Sequence, residues 1–532
     1  MIKKTEHILK RTAIILIAAI MLFALCLPSF ALPINGQMGD TYFYNQNGIA
    51  VACPVAYRTV NIKGYKDLGA GSGFMPIDMF TKGDYLYVLD QTGNQILVLD
   101  SEYTTVKIIN QIKDTKSYSV PDLNYYIYNA DGTREEDASL KRADKYAFNA
   151  PSGIFVTDDE QIYVADTENR RIVVCDFDGN CIQVYQNPSV NALGIEYIFK
   201  PQKIVVDNTG TISVIAYGVN KGLMQFDSNG KFTQFFAAPK VAVSVTDWLT
   251  SLFKSKEERA KIRDVAAEYV SVAMDSRGFI YTTATKGTAA LRKISTDGAD
   301  VLDQTDARFA TIGDVSTTPD TTPQIVDVAI NDETSTYTVL DARMGRFFTY
   351  SSTGMLLYMG GGSGNQFGRF KAPNVIECRG NQVIVADAGN KTITVYETTD
   401  YALAVHEGFS AMRSGQYNVA QEKFEQVIQY NSNMYVANEF LGDIQKMYGS
   451  QALDDDPMRL EYYKKALDYY KLSETKSGYS GCYEILRNAE MQKYFILIFT
   501  SFIILFVGII VLIYVRKYRK NRAEEQRRLD LQ

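Results

Sequence analysis

The sequence predicts a mainly β protein: a six-bladed β-propeller, then an α-helical repeat stalk, then one transmembrane helix. Three observations predict it. A unit of two short strands joined by turns recurs six times between residues 54 and 402. After residue 402 the apolar period changes from strand-like to helical. Residues 494–515, YFILIFTSFIILFVGIIVLIYV, carry no charge.

Composition bounds the reading. A chain of 532 residues with 46% hydrophobic content can fill about two or three domain cores. With 12% aromatic residues and 13 Pro it is not a disordered chain. Net charge is −6, but the basic residues concentrate at the ends. Residues 1–11 hold four Lys/Arg and residues 516–532 hold seven, so the middle is distinctly acidic. A nucleic-acid surface needs basic clusters, and the middle has none.

Residues 1–31 have the layout of a secretory signal. A basic start, MIKKTEHILKR, precedes the apolar run TAIILIAAIMLFALCL, and Ser29 and Ala31 occupy the small-residue positions of a cleavage site. An uncleaved anchor is the rival reading. Leu25 before Cys26 argues against lipidation, which favours a small side chain there. Residues 32–53 read as a linker.

The repeated unit is clearest at 161–180, QIYVADTENRRIVVCDFDGN. Its first strand closes on Asp166, and its second runs from Arg171 to Cys175 into an Asp-rich Gly turn. The closing position recurs as Asp90, Asp166, Ala216, Ala284, Asp341 and Asp387, between 46 and 76 residues apart. The aspartates Asp90, Asp166, Asp341 and Asp387 are landmarks expected to cap nearby backbone amides. An upstream strand and a downstream strand accompany the core pair, as in FNAPSGIFVTDD and CIQVYQ. One unit is therefore four antiparallel strands, too little to bury a core alone. Six such sheets set radially cover one another. The early stretch PVAYRTVNIKG, 54–64, is expected to join the last sheet as its outer strand.

Residues 151–179 resemble the NHL repeat, whose blades read P-x-G-I-x-V…G-x-I-Y-V-A-D-x-x-N-x-R-I-x-V-x-D-x-x-G. Pro151, Gly153, Ile154, Val156, Tyr163, Asp166, Asn169, Arg171, Asp176 and Gly179 are among the matching positions. The resemblance extends over about residues 54–400 and is weakest in the third and fourth copies. Three stretches leave the pattern. Residues 113–147 are polar and Tyr-rich, 301–322 are Thr/Asp-rich, and 244–266 look helical. In the last, Trp248, Leu249, Leu252, Phe253 and Ile262 could form one apolar face, suited to capping one propeller end, to docking a partner or to contacting a membrane.

Residues 403–493 form the stalk. Gly408, Gly415, Tyr417, Ala420 and Phe424 fall at spacings that resemble a tetratricopeptide repeat, and Gly442 follows Gly408 by 34 residues. Ala466 and Tyr470 again sit four apart. Residues 494–515 would span about 33 Å as a helix, the thickness of a hydrocarbon core. Arg516, Lys517, Arg519 and Lys520 follow as a stop-transfer cluster, so the tail 516–532 is expected to be cytoplasmic and the propeller outside. Such a layout suits a bacterial surface.

Chemistry is sparsely signalled. The two histidines are His7 in the signal and His406 in the stalk, which leaves a propeller with neither an imidazole base nor an imidazole metal ligand. Cys175 and Cys181 flank a turn and could face each other across a hairpin, although buried apolar cysteines are the ordinary reading. The expected function is that of a membrane-anchored extracytoplasmic binding protein. It would take a protein partner, with a membrane transporter such as a sugar ABC system as one analogue, and use no cofactor. The rival is a metal-dependent hydrolase resembling gluconolactonase-like propellers, which hold a central divalent ion with Glu, Asn and Asp. In that reading Ca2+ would be the cofactor.

Overall fold

The computed structural model describes residues 41–44, 49–123, 126–128, 133–136, 144–186, 188, 193, 197–238, 268–284, 290–302, 312–314 and 322–529. The signal at 1–31 and the helical-looking stretch 244–266, with Trp248, lie outside the described residues.

Six antiparallel sheets follow one another along the chain, and the first five are hydrogen-bonded in simple sequence order. Blades 1, 2, 3 and 5 have four strands each, and three strands of blade 4 are described. Blade 6 combines Pro373–Arg379, Gln382–Asp387 and Thr392–Thr398 with the early strand Tyr57–Gly64. That strand lies antiparallel to the last one, with Tyr57 opposite Thr398 and Gly64 opposite Thr392. The ring is thereby closed by joining its two ends, as the sequence suggested for 54–64.

The middle strands of a blade are covered on both faces, so they lose the polar alternation of a surface strand. In blade 2 every residue of Ile162–Asp166 and Arg171–Cys175 is buried. One recurring turn between strands is built by the Asp-x-x-Gly sequence. Asp176 accepts hydrogen bonds from the backbone N–H of Asp178 and Asn180, and Gly179 takes the positive φ of 79° that closes the turn.

Two hairpins lie outside the blades. Tyr42–Tyr44 pairs with Ala50–Ala52, within the stretch read as a linker. It is pinned to blade 5 through Asp314, which accepts from Tyr44 Oη at 2.6 Å and pairs with Arg346 at 2.6 Å. Tyr126–Tyr128 pairs with Arg134–Glu136 inside the insertion 113–147.

Five helices follow: α1 (Asp400–Arg413), α2 (Tyr417–Tyr430), α3 (Tyr435–Gln451), α4 (Pro457–Leu472) and α5 (Lys476–Leu529). Two helix pairs repeat one packing device. A Cβ at Gly408 of α1 would lie 2.8 Å from the Phe424 ring of α2, and a Cβ at Gly442 of α3 would lie 2.8 Å from the Tyr470 ring of α4. The absent side chain lets the aromatic ring press on the helix backbone. Ala420 and Ala466, both fully buried, complete the two contacts.

The helices are fused to the propeller by a shared core. Tyr358 of blade 5 bonds to His406 of α1 and packs edge-on against Tyr401. Phe43 of the N-terminal hairpin packs against Tyr435 of α3 at 5.6 Å. Arg413, at the end of α1, donates to the Asp332 carbonyl and to Ser335 in the hairpin of blade 5. Helix α5 has 54 residues and spans about 80 Å. Its first turns pack on α4 around Cys482, and residues 494–515 are exposed throughout, forming a stretch apolar and long enough to cross a membrane.

Candidate functional site

The innermost strand of each blade borders the central channel. Pairing within the blades places six inner-strand residues at one level, each opposite the residue preceding its landmark. They are Asp78, Gly153, Lys203, Ser271, Asp327 and Val375. Lys203 of blade 3 reaches past Gly153 to Asp78 of blade 1, at 2.6 Å, and donates to the Ile77 carbonyl at 2.9 Å. Gly153 is what allows this. A Cβ there would sit 2.4 Å from the Gln202 carbonyl oxygen and 2.9 Å from Lys203 Cα. Asp327 accepts from Ser271 of the neighbouring blade.

Both aspartates also tie the next blade in. Asp78 accepts the Ile154 N–H and Asp327 the Ile376 N–H, each at 2.8 Å. An inner strand has no hydrogen-bonding partner on its channel side, so these carboxylates satisfy amides that would otherwise be orphaned.

Two residues further along, the next level reads Phe80, Phe155, Val205, Ala273, Ala329 and Glu377. These six line a cavity of about 190 Å³, with Asp78, Asp327 and Asp332 also in its wall. Phe80 and Phe155 are in contact, with ring centres 4.7 Å apart. Glu377 is thus one carboxyl in an otherwise apolar layer. It accepts from Thr81 Oγ1 at 3.2 Å and from the Cys378 N–H at 2.9 Å.

Burial pushes Glu377 up to about 8, and the nearby carboxylates of Asp327 and Asp78 push the same way. Asp327 is raised to about 6 by burial, against the pull of Lys203. Asp78 is also raised by burial, with Lys203 again opposing. Near neutral pH the channel therefore holds one carboxyl poised to exchange a proton, one lysine, and two carboxylates already engaged between blades. A guest carrying a cation or a hydrogen-bond acceptor could meet Glu377 in its ionised or protonated form, respectively.

These residues do not suit a divalent ion. Among the described residues no three His, Cys, Asp or Glu side chains are grouped so as to hold a metal. Asp78 is spent on Lys203 and Ile154, Asp327 on Ser271 and Ile376, and Glu377 stands apart one level on.

The landmark aspartates sit elsewhere, one in each of blades 1, 2, 5 and 6, at the rim where the inner strands begin. Asp90 accepts from the N–H of Met75 and Gly93, Asp166 from Asn149, Asp341 from Gln324 and Arg343, and Asp387 from Lys371, Ala372 and Gly389. Asp166 additionally pairs at 2.7 Å with Arg171, and both are wholly buried. The repeat does not bring the four together. Arg516, Lys517, Arg519 and Lys520 share one exposed stretch of α5 immediately after the apolar run. The channel residues Asp78, Lys203, Asp327 and Glu377 do not stand out in the sequence. The signal that marks the first three is a charged residue a near-constant 12 to 14 positions before each landmark.

Several solved structures are similar to the chain at low identity. Virginiamycin B lyase from Staphylococcus aureus is 11% identical, covering 64% of this chain and 99% of that one, with a TM-score of 0.37. The β-propeller domain of Cps50 (Swd1) from Myceliophteria thermophila is 9% identical, covering 64% and 100%, also at 0.37. A protein of unknown function from Bacteroides thetaiotaomicron is 11% identical, covering 65% and 76%, at 0.38. No curated protein matches the chain. Residues 148–175, the run that enters blade 2 and ends on Cys175, match the NHL repeat family model.

Proposed function

We propose that this chain is a membrane-anchored extracytoplasmic recognition protein. Its propeller presents the landmark rim to a protein partner, and its TPR-like helices fix the propeller to the bilayer through α5. The observation that carries this reading is the continuity of one core from blade 5 through α1 and α3, followed by a helix that enters an uncharged run without a break.

The landmark rim is the favoured binding face. The outer strands Thr105–Ile109 and Phe232–Phe236 end at that rim and the inner strands Gly153–Val156 and Ser271–Met274 begin there, with 113–147 and 239–267 between them in sequence. Helix α1 instead contacts the hairpin at 332–335, the opposite end of blade 5. Long loops on a rigid scaffold, away from the anchor, are the usual seat of recognition. The partner proposed is a membrane transport protein, held beside the propeller by the shared bilayer.

The test is chemical crosslinking of the full chain in its own membranes, with and without replacement of 113–147 by a short Gly/Ser loop. Stoichiometric crosslinking to a permease, lost on loop replacement, supports the reading. Calcium-dependent turnover of a lactone panel by the purified chain, with no such partner, would favour the hydrolase instead.

A further inference from the structure

We propose that Cys175 and Cys181 are a cross-strand dithiol that closes into a disulfide at the outer edge of blade 2. The two residues are direct partners in the pairing of Arg171–Cys175 with Cys181–Gln186. A bulge makes this so. Val174 faces Gln183, and unbroken pairing would set Cys175 against Ile182. The register shifts between Val174 and Cys175 and brings Cys181 opposite instead. Directly opposed residues on antiparallel strands lie about 4.5–5.5 Å apart at Cα, inside the range of about 4.4–6.8 Å that a disulfide spans.

Both side chains also point the same way. Cys175 and Cys181 belong to one apolar core between blades 1 and 2, and no third described cysteine lies in it. The turn between them is held independently of any bridge, by Asp176 accepting from the N–H of Asp178 and Asn180. Closing the pair therefore needs little backbone movement.

In the structure the thiols are free and fully buried. Burial raises both, Cys181 to about 11, and the proximity of Cys181 raises Cys175 further. Buried protonated thiols are poor nucleophiles, so the bond forms before the blade closes over them. Two S–H bonds break and one S–S bond forms. The two electrons and two protons pass, through a mixed disulfide, to a disulfide-bearing oxidant that leaves as two thiols.

Closure inside the cell rests on the extracytoplasmic reading above, because a reducing cytoplasm would hold the thiols open. The experiment has two arms. Purified full-length chain in detergent is unfolded, refolded in oxidised and reduced glutathione, quenched with acid, alkylated and mapped by mass spectrometry. The expected result is two fewer alkylated sites in the oxidised sample, both on the peptide carrying Cys175 and Cys181. Alkylation of both in the oxidised sample, or linkage of either to Cys53, Cys378 or Cys482, overturns the proposal. In the second arm, thiols are trapped in intact cells before lysis. A closed pair there supports the proposal in its setting. A pair open in cells yet closing in glutathione supports the pairing and overturns the extracytoplasmic placement.

Discussion

Asp166 condenses the logic of the blade into one side chain. Its carboxylate receives the Asn149 N–H, the Asn169 amide and the Arg171 guanidinium, and Arg171 in turn donates to the Lys145 and Ala147 carbonyls. Removing the carboxylate would strand a wholly buried guanidinium. Asp166→Ala should lower the unfolding free energy of the detergent-solubilised chain by about 3–5 kcal/mol. Asp341→Ala, which frees backbone amides at the same place in blade 5, should cost about 1–2 kcal/mol. Equal losses in urea titrations of the two variants would contradict the role given to Arg171. Glu377 makes the opposite kind of prediction. A carboxyl raised to about 8 stays protonated in the folded chain where the unfolded chain has already ionised, so its burden on stability grows as pH rises from about 4 to about 8. Glu377→Gln should match wild type near pH 4 and exceed it by about 1–3 kcal/mol near pH 8, a range reduced because the group borders the channel. A stability difference that does not change with pH would refute the assigned environment. The landmark aspartates are legible in the sequence because they recur inside the repeated unit. The channel carboxylates are not, because their convergence depends on the pairing register of six separate sheets.

At the scale of elements, the early strand Tyr57–Gly64 and the helix pairs follow from local pattern, while blades 3 and 4 required more than pattern. Ala216 and Ala284 replace the aspartates there, and other side chains hold the loop between those blades. Arg292 donates to the Ala237 and Ala238 carbonyls at 3.1 Å each, and Tyr269 to the Ala237 carbonyl at 2.6 Å. These contacts satisfy loop carbonyls, whereas the aspartates of the other blades accept from loop amides, so blade 4 is tied to its preceding loop by the opposite hydrogen-bond polarity. The hairpin of Tyr42–Tyr44 with Ala50–Ala52 leaves no mark in the sequence for another reason. Strands of three residues are too short to show alternation, and their partners Asp314 and Tyr435 are hundreds of residues away. The junction of propeller and helices carries its own prediction. His406, bonded to Tyr358 and buried, is held neutral, its pKa lowered to about 4 by burial. The unfolded imidazole takes a proton below about 6.5, so the junction is fully stable above that pH and loses about 2–3 kcal/mol as pH falls toward 4. His406→Gln, which keeps a hydrogen-bonding group beside Tyr358, should lose less. Melting curves between about pH 7 and 5 that fall in parallel for the two proteins would contradict this.

At the scale of the whole molecule, one packed core runs from the propeller into the helices. Six sheets, none with a core of its own, are closed by a strand from the start of the chain. Their shared core extends into α1 and α3, and α5 leaves that body as a single helix. Eight residues separate Leu486, the last apolar side chain packed on α4, from Phe495, at the start of the exposed apolar run. If that run crosses a bilayer, as proposed, so short a helical connection holds the propeller close to it. The apolar run was plain in the sequence because nothing but a membrane or a large core accommodates 22 uncharged residues. The absence of a break between stalk and span was not, since it depends on the first turns of α5 packing against α4. The most direct test is protease protection of the full chain in sealed, right-side-out membrane vesicles after alkaline washing, read with a C-terminal epitope. The account predicts that the chain stays in the washed membrane and that external protease leaves a small protected fragment containing Arg516 to the end. Release of the chain by the alkaline wash, or loss of the epitope to external protease, would contradict it.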